Sequence, residues 1–173
     1  MGERSIFSHD PDLHGACSEL LDLARERGVT VGTAESCTGG LVCGALTSVP
    51  GSSDVVRGGV VSYAIPVKRE VLGVSGDVLD DPSLGAVSAE CAEQMASGAR
   101  GALGCDYAVS VTGIAGPGGE EPGKPVGTVW MGVAGPTGVV SRLFRFDGDR
   151  AGVRHAAVST AVGLLRAAVM ESL

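Results

Sequence analysis

The first helix and the first strand are predicted by the spacing of apolar residues after Asp10. From there to Gly28, apolar residues recur every three or four positions, which is the spacing of an amphipathic helix. Asp10 suits the N-cap, Pro11 the first helical position, and Gly28 the end of this helix. The following run 29–34 (VTVGTA) is short and rich in β-branched residues, so it predicts a strand.

The rest of the chain predicts further helices and strands separated by segments rich in glycine and proline. Helices are predicted at 41–49, 66–74, 88–104 and from about Asp149 onward, and strands at 55–64, 106–113, 126–135 and 138–148. The last two strands flank a turn at 136–138, which predicts an antiparallel hairpin. This order predicts an α/β fold, a three-layer α/β/α sandwich around a mixed, partly parallel sheet. No repeat or linker interrupts it, so a single domain over 1–173 is expected.

The segment 118–125 (GGEEPGKP) resembles the start of a phosphate-binding P-loop. That motif needs Ser or Thr after the lysine to hold magnesium, and this chain has Pro125 there. The loop must also open a helix, whereas the β-branched run that follows here predicts a strand. A nucleoside triphosphatase site is therefore not expected, and Lys124 is predicted to be a solvated loop residue.

Composition and charge exclude several classes of protein. The net charge of −7 argues against general nucleic-acid binding, while a small anionic ligand remains compatible with it. The five cysteines form no C-x-x-C pair and the three histidines are scattered, so no metal site is expected. No run approaches the roughly twenty apolar residues of a membrane span, and the N-terminal MGERSIFSHD lacks the apolar core of a secretion signal. We therefore expect a cytoplasmic protein that does not bind membranes.

Candidate chemistry is concentrated in irregular segments next to the predicted strands, because ligands of open α/β sheets bind beyond the strand ends. These segments are 35–40 (ESCTGG), 50–54 (PGSSD), 63–68 (YAIPVK) and 112–119 (TGIAGPGG). Their reactive side chains are Glu35, Ser36, Thr38, Ser52, Ser53, Tyr63, Lys68 and Thr112. Because the set holds hydroxyls and a lysine but no histidine, a hydrolase built from it would use serine activated by lysine. Cys37 is a weaker nucleophile candidate, since no histidine has a setting that suggests pairing with it.

Each of these residues also has an ordinary structural interpretation. Ser52 and Ser53 suit the cap of a turn, and Tyr63 suits an ordinary strand position. Lys68 suits the solvated face of a helix, although a cation in the first turn opposes the helix dipole. Glu35 is a suitable acceptor for nearby backbone N–H groups.

Five motifs, in this order along the chain, resemble the CinA C-terminal domain, the family of bacterial nicotinamide-nucleotide amidohydrolases. They are TAESCTGG (33–40), PGSSDVVRGGVVSYAIPVKREVLGV (50–74), GAVSAECAEQMASGAR (85–100), DYAVSVTGIAGPGG (106–119) and KPVGTVWMGVA (124–134). The resemblance runs from about Leu20 to the last helix and implies a stand-alone form of the domain. It implies hydrolysis of the carboxamide of nicotinamide mononucleotide to nicotinate mononucleotide and ammonia, without metal or cofactor. It further implies a homo-oligomer, expected to be a dimer.

The resemblance also implies roles for individual residues. Ser53 is the implied nucleophile, and Tyr63 and Lys68 complete a Ser/Tyr/Lys constellation. Residues implied or expected to bind substrate are Glu35, Ser36, Thr38, Gly39, Gly40, Ser52, Thr112, Gly113, Arg150 and Arg154. Among them, the backbone of 37–40 at a helix start and Arg150 are expected to hold the substrate phosphate.

One departure from the family pattern concerns substrate preference. Between the tyrosine and the lysine the family commonly has a polar run such as Ser-Asn-Glu-Ala, where this chain has 64–67 (AIPV). Two other functions stay open from the sequence. One is a catalytically silent nucleotide-binding module, and the other is an amidase for a different nicotinamide- or pterin-like amide.

Overall fold

A computed structural model describes residues 10–173, and the N-terminal stretch in which no secretion signal was predicted lies mostly outside this range. The helices are α1 (Pro11–Arg27), α2 (Leu41–Thr47), α3 (Ile65–Glu70), α4 (Gly76–Leu79), α5 (Ala89–Leu103) and α6 (Arg150–Glu171). The strands are β1 (Val31–Glu35), β2 (Val56–Val61), β3 (Tyr107–Gly113), β4 (Thr128–Gly135) and β5 (Gly138–Arg145). A 3-10 turn, Ser52–Asp54, precedes β2.

The long helices begin and end at the residues that their capping chemistry predicts. The Asp10 carboxylate accepts a hydrogen bond from the backbone N–H of Leu13 at 2.9 Å, so α1 starts at Pro11. Gly28 ends that helix with φ of 64°, a left-handed conformation in which glycine is unstrained. Ser88 caps α5 in the same way as Asp10 caps α1. Helix α4 was not predicted, because four residues are too few to show a helical period.

The sheet has five strands in the order β2-β1-β3-β4-β5. Strands β2, β1 and β3 are parallel, and β4 and β5 form the predicted antiparallel hairpin. The parallel strands therefore end at a common edge, which we call the carboxyl edge, and they begin at the opposite amino edge. Strand β5 also ends at the carboxyl edge, because it runs antiparallel to β4 and hence parallel to β3.

Helices cover both faces of the sheet, so the predicted three-layer α/β/α sandwich is confirmed. Helices α1, α2 and α6 enclose the larger apolar core on one face. Helix α5, with the apolar residues of and around α4, encloses the smaller core on the other face. Strand β1 is buried at all of its positions because it lies between the two layers. Within residues 10–173, none of the helices has the length and apolarity needed to cross a lipid bilayer.

Candidate active site

The carboxyl edge brings together three of the four segments in which chemistry was expected. Strand β1 ends at Glu35 and is followed by Ser36, β2 ends at Val61 and is followed by Tyr63, and β3 ends at Gly113. Loops that leave parallel strands at the same edge form the crevice where α/β sheets bind ligands. Helix α6 also starts here, after β5, so its first residue Arg150 lies above the same crevice.

Lys68 and Ser36 form the central contact of this edge. The Lys68 Nζ lies 3.0 Å from the Ser36 Oγ and donates to the backbone carbonyl of Ser62 at 2.6 Å. Only 1% of Lys68 is exposed, so its amine is held almost out of water. Burial lowers the pKa of Lys68 below its ordinary value, because the charged ammonium loses hydration. A neutral amine beside a serine hydroxyl is an arrangement that can accept the hydroxyl proton.

Ser36 begins a tight turn whose geometry depends on two glycines. Its backbone N–H donates to the Val111 carbonyl at 2.9 Å, and its carbonyl accepts from the Gly39 N–H at 3.1 Å. Gly39 and Gly40 have φ angles of 63° and 97°, which residues other than glycine rarely adopt. The turn leaves the backbone N–H groups of residues 37 and 38 without a protein acceptor within residues 10–173. Two unpaired N–H groups directly after a serine hydroxyl can stabilise an oxyanion.

Glu35 lies beneath this turn, and its carboxylate points toward the start of α2. It is 1% exposed and accepts hydrogen bonds from the backbone N–H groups of Gly40, Val42 and Cys43 at 2.8 to 3.0 Å. The Thr33 hydroxyl donates to the same carboxylate at 3.2 Å. The interpretation of Glu35 as an acceptor for nearby backbone donors matches this geometry, because its carboxylate is buried among these contacts.

The predicted pairing of Ser53 with Lys68 is corrected by the structure. Ser53 lies in the 3-10 turn that precedes β2, at the amino edge, whereas Lys68 follows β2 at the carboxyl edge. The six residues of β2 separate the two edges by about 20 Å at about 3.3 Å per residue. Ser52 lies at the same amino edge with its side chain buried. The sequence held a signal for this, because a loop that leads from a helix into a parallel strand lies opposite the loops that leave such strands.

Tyr63 and Arg150 meet at the mouth of the crevice. The Arg150 guanidinium donates to the Tyr63 hydroxyl at 3.3 Å and to the Gly116 carbonyl at 2.9 Å. Tyr63 is 63% exposed and Arg150 is also exposed, so both are accessible to a dissolved ligand. The structure thus joins the segment after β2, the glycine-rich loop after β3 and the start of α6.

Thr112, Thr38 and Arg154 make contacts within the protein around the crevice. The buried Thr112 hydroxyl donates to the Ala86 carbonyl, so it fastens the segment before α5 to the carboxyl edge. Gly113 ends β3, and a Cβ there would lie 2.6 Å from a backbone oxygen of β4, so a larger residue does not fit. Arg154, one turn after Arg150, donates to the Thr38 carbonyl at 3.0 Å. It therefore links α6 to the Ser36 turn.

Lys124 is not the solvated residue that the sequence predicted. Its side chain is 15% exposed, and its Nζ donates to the Leu84 carbonyl at 2.6 Å and to the Glu121 carboxylate at 2.8 Å. The lysine is held because the glycine-rich loop folds against the segment before α5. The residues after it form strand β4 and no helix, which agrees with the exclusion of a P-loop.

Metal and thiol chemistry receive little support from the described part of the chain. No group of three or more His, Cys, Asp or Glu side chains within residues 10–173 is placed to hold a metal ion. Burial raises the pKa of the Cys37 thiol to about 11, so this group is almost wholly protonated at neutral pH. The serine at the preceding position remains the stronger nucleophile candidate.

Comparison with known proteins identifies relatives of this chain. A model of the CinA C-terminal domain family matches residues 14–169. CinA-like proteins of Frankia casuarinae and Synechococcus sp. strain RCC307 are each 47% identical to it, over 157 and 169 residues. These matches cover 91% and 96% of this chain, which spans 35% and 39% of the length of the two relatives.

Solved structures show the same fold. The crystal structure of the competence/damage inducible protein CihA from Agrobacterium tumefaciens is 43% identical, with a TM-score of 0.86 over 90% of this chain and 94% of that one. A competence-damaged protein (CinA) superfamily protein from Klebsiella pneumoniae is 33% identical, with a TM-score of 0.87 over 92% and 99% of the two chains. The mixed five-stranded sheet and its flanking helices are thus common to this chain and to both solved proteins.

Proposed function

The chain belongs to the CinA C-terminal domain family, and from this premise we propose that it is an amidohydrolase that converts nicotinamide mononucleotide to nicotinate mononucleotide and ammonia. The observation that carries the proposal is the buried Lys68 amine 3.0 Å from the Ser36 hydroxyl at the carboxyl edge. We assign Ser36 as the nucleophile and Lys68 as its general base. This differs from the role that the sequence resemblance implied for Ser53, because Ser53 lies at the other edge of the sheet.

Acylation requires a proton to leave Ser36 as its oxygen attacks the carboxamide carbon. The neutral Lys68 amine accepts this proton through its lone pair, while one of its N–H groups stays on the Ser62 carbonyl. The N–H groups of residues 37 and 38 stabilise the oxyanion of the tetrahedral intermediate. The Lys68 ammonium then gives its proton to the departing nitrogen, so that ammonia leaves and a serine ester remains.

Deacylation repeats the sequence with water as the nucleophile. Lys68, neutral again after giving its proton to the departing nitrogen, takes a proton from the water that attacks the ester carbonyl. The bond between the acyl carbon and the Ser36 oxygen breaks, and Lys68 returns the proton to that oxygen. The products are nicotinate mononucleotide and the free hydroxyl, and neither step requires a metal or a cofactor.

We propose that Arg150 and Tyr63 bind the rest of the nucleotide. Arg150 is exposed at the start of α6 and is held toward the crevice by the Gly116 carbonyl, which suits a contact with the phosphate. The exposed aromatic face of Tyr63 beside it suits the positively charged pyridinium ring. The backbone of 37–40 is a weaker phosphate site than expected, because the Gly40 N–H is bonded to Glu35.

The test is an ammonia assay with nicotinamide mononucleotide on the intact protein, with two serine variants side by side. We expect Ser36→Ala to lower kcat by at least about 10³, the scale for losing a nucleophile. Ser53→Ala is the matched control at the amino edge, and we expect its kcat to stay within about twofold of the wild type, since exposed sites far from the chemistry contribute little. The reverse ranking would contradict the assignment.

An absence of ammonia has a separate meaning. If the wild type releases none but binds the mononucleotide, the chain is the catalytically silent nucleotide-binding module instead. Ammonia from another amide in a substrate panel, but not from this one, identifies the alternative amidase. A homo-oligomer, expected to be a dimer, stays a prediction from the family resemblance. Light scattering of the purified protein measures its mass in solution and so tests this prediction.

A further inference from the structure

Glu35 is a buried carboxylate that the reaction described above does not use. Its Oε2 accepts from the N–H groups of Gly40 and Val42, both at 3.0 Å, and its Oε1 accepts from the N–H of Cys43 at 2.8 Å and from the Thr33 hydroxyl at 3.2 Å. Within residues 10–173 it has no ion-pair partner within 4.0 Å. Glu35 is 1% exposed, and these four hydrogen-bond donors compensate for the water that its carboxylate loses on burial.

These bonds close a ring around the Ser36 turn. Glu35 is the last residue of β1, so the sheet holds its backbone, and its side chain reaches forward to the N–H of Gly40. Ser36 and the unpaired N–H groups of residues 37 and 38 lie between these two fixed points. The Glu35 carboxylate therefore links the two ends of the segment that carries them.

The same bonds hold the start of α2. The first turn of a helix has backbone N–H groups without partners inside the helix, and a carboxylate is favoured there by charge. Glu35 satisfies three N–H groups from within the sheet, so α2 and β1 cannot move apart without breaking charge-assisted bonds. Gly40, the N-cap residue of α2, has no side chain that could cap the helix, so the Glu35 carboxylate supplies the acceptor instead.

We propose that Glu35 is a positioning residue for the amidase reaction: it holds the Ser36 hydroxyl and the two oxyanion-binding N–H groups in register with Lys68. The assignment rests on the proposed function and replaces the substrate contact expected for Glu35 from the sequence. A residue in this role controls kcat more than KM, because Arg150 and Tyr63, the residues proposed to bind the nucleotide, lie on other segments.

Glu35→Gln is the direct test, because glutamine keeps the size of the side chain but loses the charge and one acceptor oxygen. We expect kcat for nicotinamide mononucleotide to fall by roughly 10²-fold, the cost of a displacement of about 1 Å at a reacting centre. KM should change by less than about threefold, since binding in the ground state is kept. The apparent pKa of kcat/KM should stay that of the wild type, because the Ser62 carbonyl still holds Lys68.

Asp106→Asn is the matched control. The Asp106 carboxylate accepts from the backbone N–H of Thr30 at 2.8 Å and from the Thr30 hydroxyl at 2.7 Å, at the amino edge of the sheet. Asp106→Asn, like Glu35→Gln, loses a carboxylate that is bonded to a backbone N–H. We therefore expect Asp106→Asn to lower the melting temperature while kcat stays within about twofold of the wild type. If both variants lose kcat in proportion to their loss of stability, Glu35 has only a structural role and the proposal is overturned.

A second readout separates this proposal from the proposed function. A fluorophosphonate probe labels an activated serine when its oxygen displaces fluoride from phosphorus, whatever the natural substrate is. We expect Glu35→Gln to slow labelling of Ser36 by roughly 10²-fold, and Asp106→Asn to leave it within about twofold. If the wild type is labelled but releases no ammonia, the proposed function fails and the labelling rates still test Glu35. Unchanged labelling in Glu35→Gln, or a rise in KM with kcat preserved, overturns the positioning role.

Thr33→Val keeps the test available if Glu35→Gln does not fold. Valine has nearly the volume of threonine, and the substitution removes only the 3.2 Å bond to the carboxylate. We expect a smaller loss of kcat, about threefold, with KM unchanged, because one of four bonds is lost. Unchanged kcat and labelling in a folded Thr33→Val variant count against the proposal.

Discussion

Replacement of Lys68 by methionine removes the proposed base while it keeps an unbranched side chain in a buried position. The wild-type Nζ lies 3.0 Å from the Ser36 Oγ and 2.6 Å from the Ser62 carbonyl, and both contacts are lost. General-base catalysis contributes about 10² to 10⁴ in rate, so we expect kcat to fall by about 10³. This corresponds to about 4 kcal/mol of lost transition-state stabilisation.

The pH dependence of the wild type reports the same group. Because burial lowers the pKa of Lys68, kcat/KM should rise with pH through an apparent pKa below the value of about 10.4 for free lysine. Lys68→Met should lose this rise. Lys68→Arg should also lose nearly all turnover, because arginine keeps the positive charge but does not release its proton.

Unfolding at several pH values gives a second measurement with a defined sign. The pKa of Lys68 is lower in the folded than in the unfolded chain, so between the two values the unfolded chain binds more protons. The contribution of Lys68 to the free energy of unfolding therefore rises with pH across this interval, by about 1.4 kcal/mol for each unit of pKa difference. Below the interval this contribution is constant. Lys68→Met lacks this term, so its stability relative to the wild type should fall as the pH is raised, although the unpaired Ser62 carbonyl costs about 1–3 kcal/mol at every pH.

The assays are ammonia release and urea unfolding of both proteins between neutral pH and about pH 10. If a folded Lys68→Met variant keeps kcat within tenfold and retains the pH profile of the wild type, another group is the base. If kcat falls as expected but the difference in unfolding free energy between the two proteins does not change with pH, Lys68 is not desolvated in solution as it is in this structure.

Three further outcomes follow from the structure. Arg150→Ala should raise KM for nicotinamide mononucleotide by about 10-fold or more, the scale of a lost hydrogen bond to a charged group, and should leave the phosphate-free riboside nearly unaffected; equal effects on both substrates contradict a phosphate contact. Gly98→Ala should lower the free energy of unfolding by about 3 kcal/mol, because the new Cβ would lie 1.9 Å from the Leu72 carbonyl oxygen. Gly101→Ala in the same helix is the control, because its Cβ would meet nothing within 4 Å. We expect it to raise the free energy of unfolding by up to about 1 kcal/mol, as measured by chemical denaturation. Ammonia release should be unchanged after treatment with a metal chelator, and a loss that zinc or magnesium restores contradicts the metal-free mechanism.

The elements of the fold followed from local chemistry in the sequence. Asp10 and Ser88 cap their helices through backbone N–H groups three residues away, and Gly28 ends a helix by its own conformation. The turn at 136–138 joins two strands that are neighbours in the sheet. Such interactions span a few residues, so the sequence carries them directly. Helix α4 escaped prediction because a single turn leaves no period to detect.

The candidate active site depends on contacts between residues that are distant in sequence. The sequence by itself determined which side chains the candidate loops hold, namely hydroxyls and Lys68 but no histidine, and so predicted a serine paired with lysine. Only the tertiary structure decided that the serine beside Lys68 is Ser36, 32 residues away, and that Ser53 is remote from it. The physical reason is the order and direction of the strands: parallel β1 and β2 bring their following loops to one edge and send the loop before β2 to the other. The burial that lowers the pKa of Lys68 likewise arises only in the folded chain, where its amine lies against Ser36 and the Ser62 carbonyl.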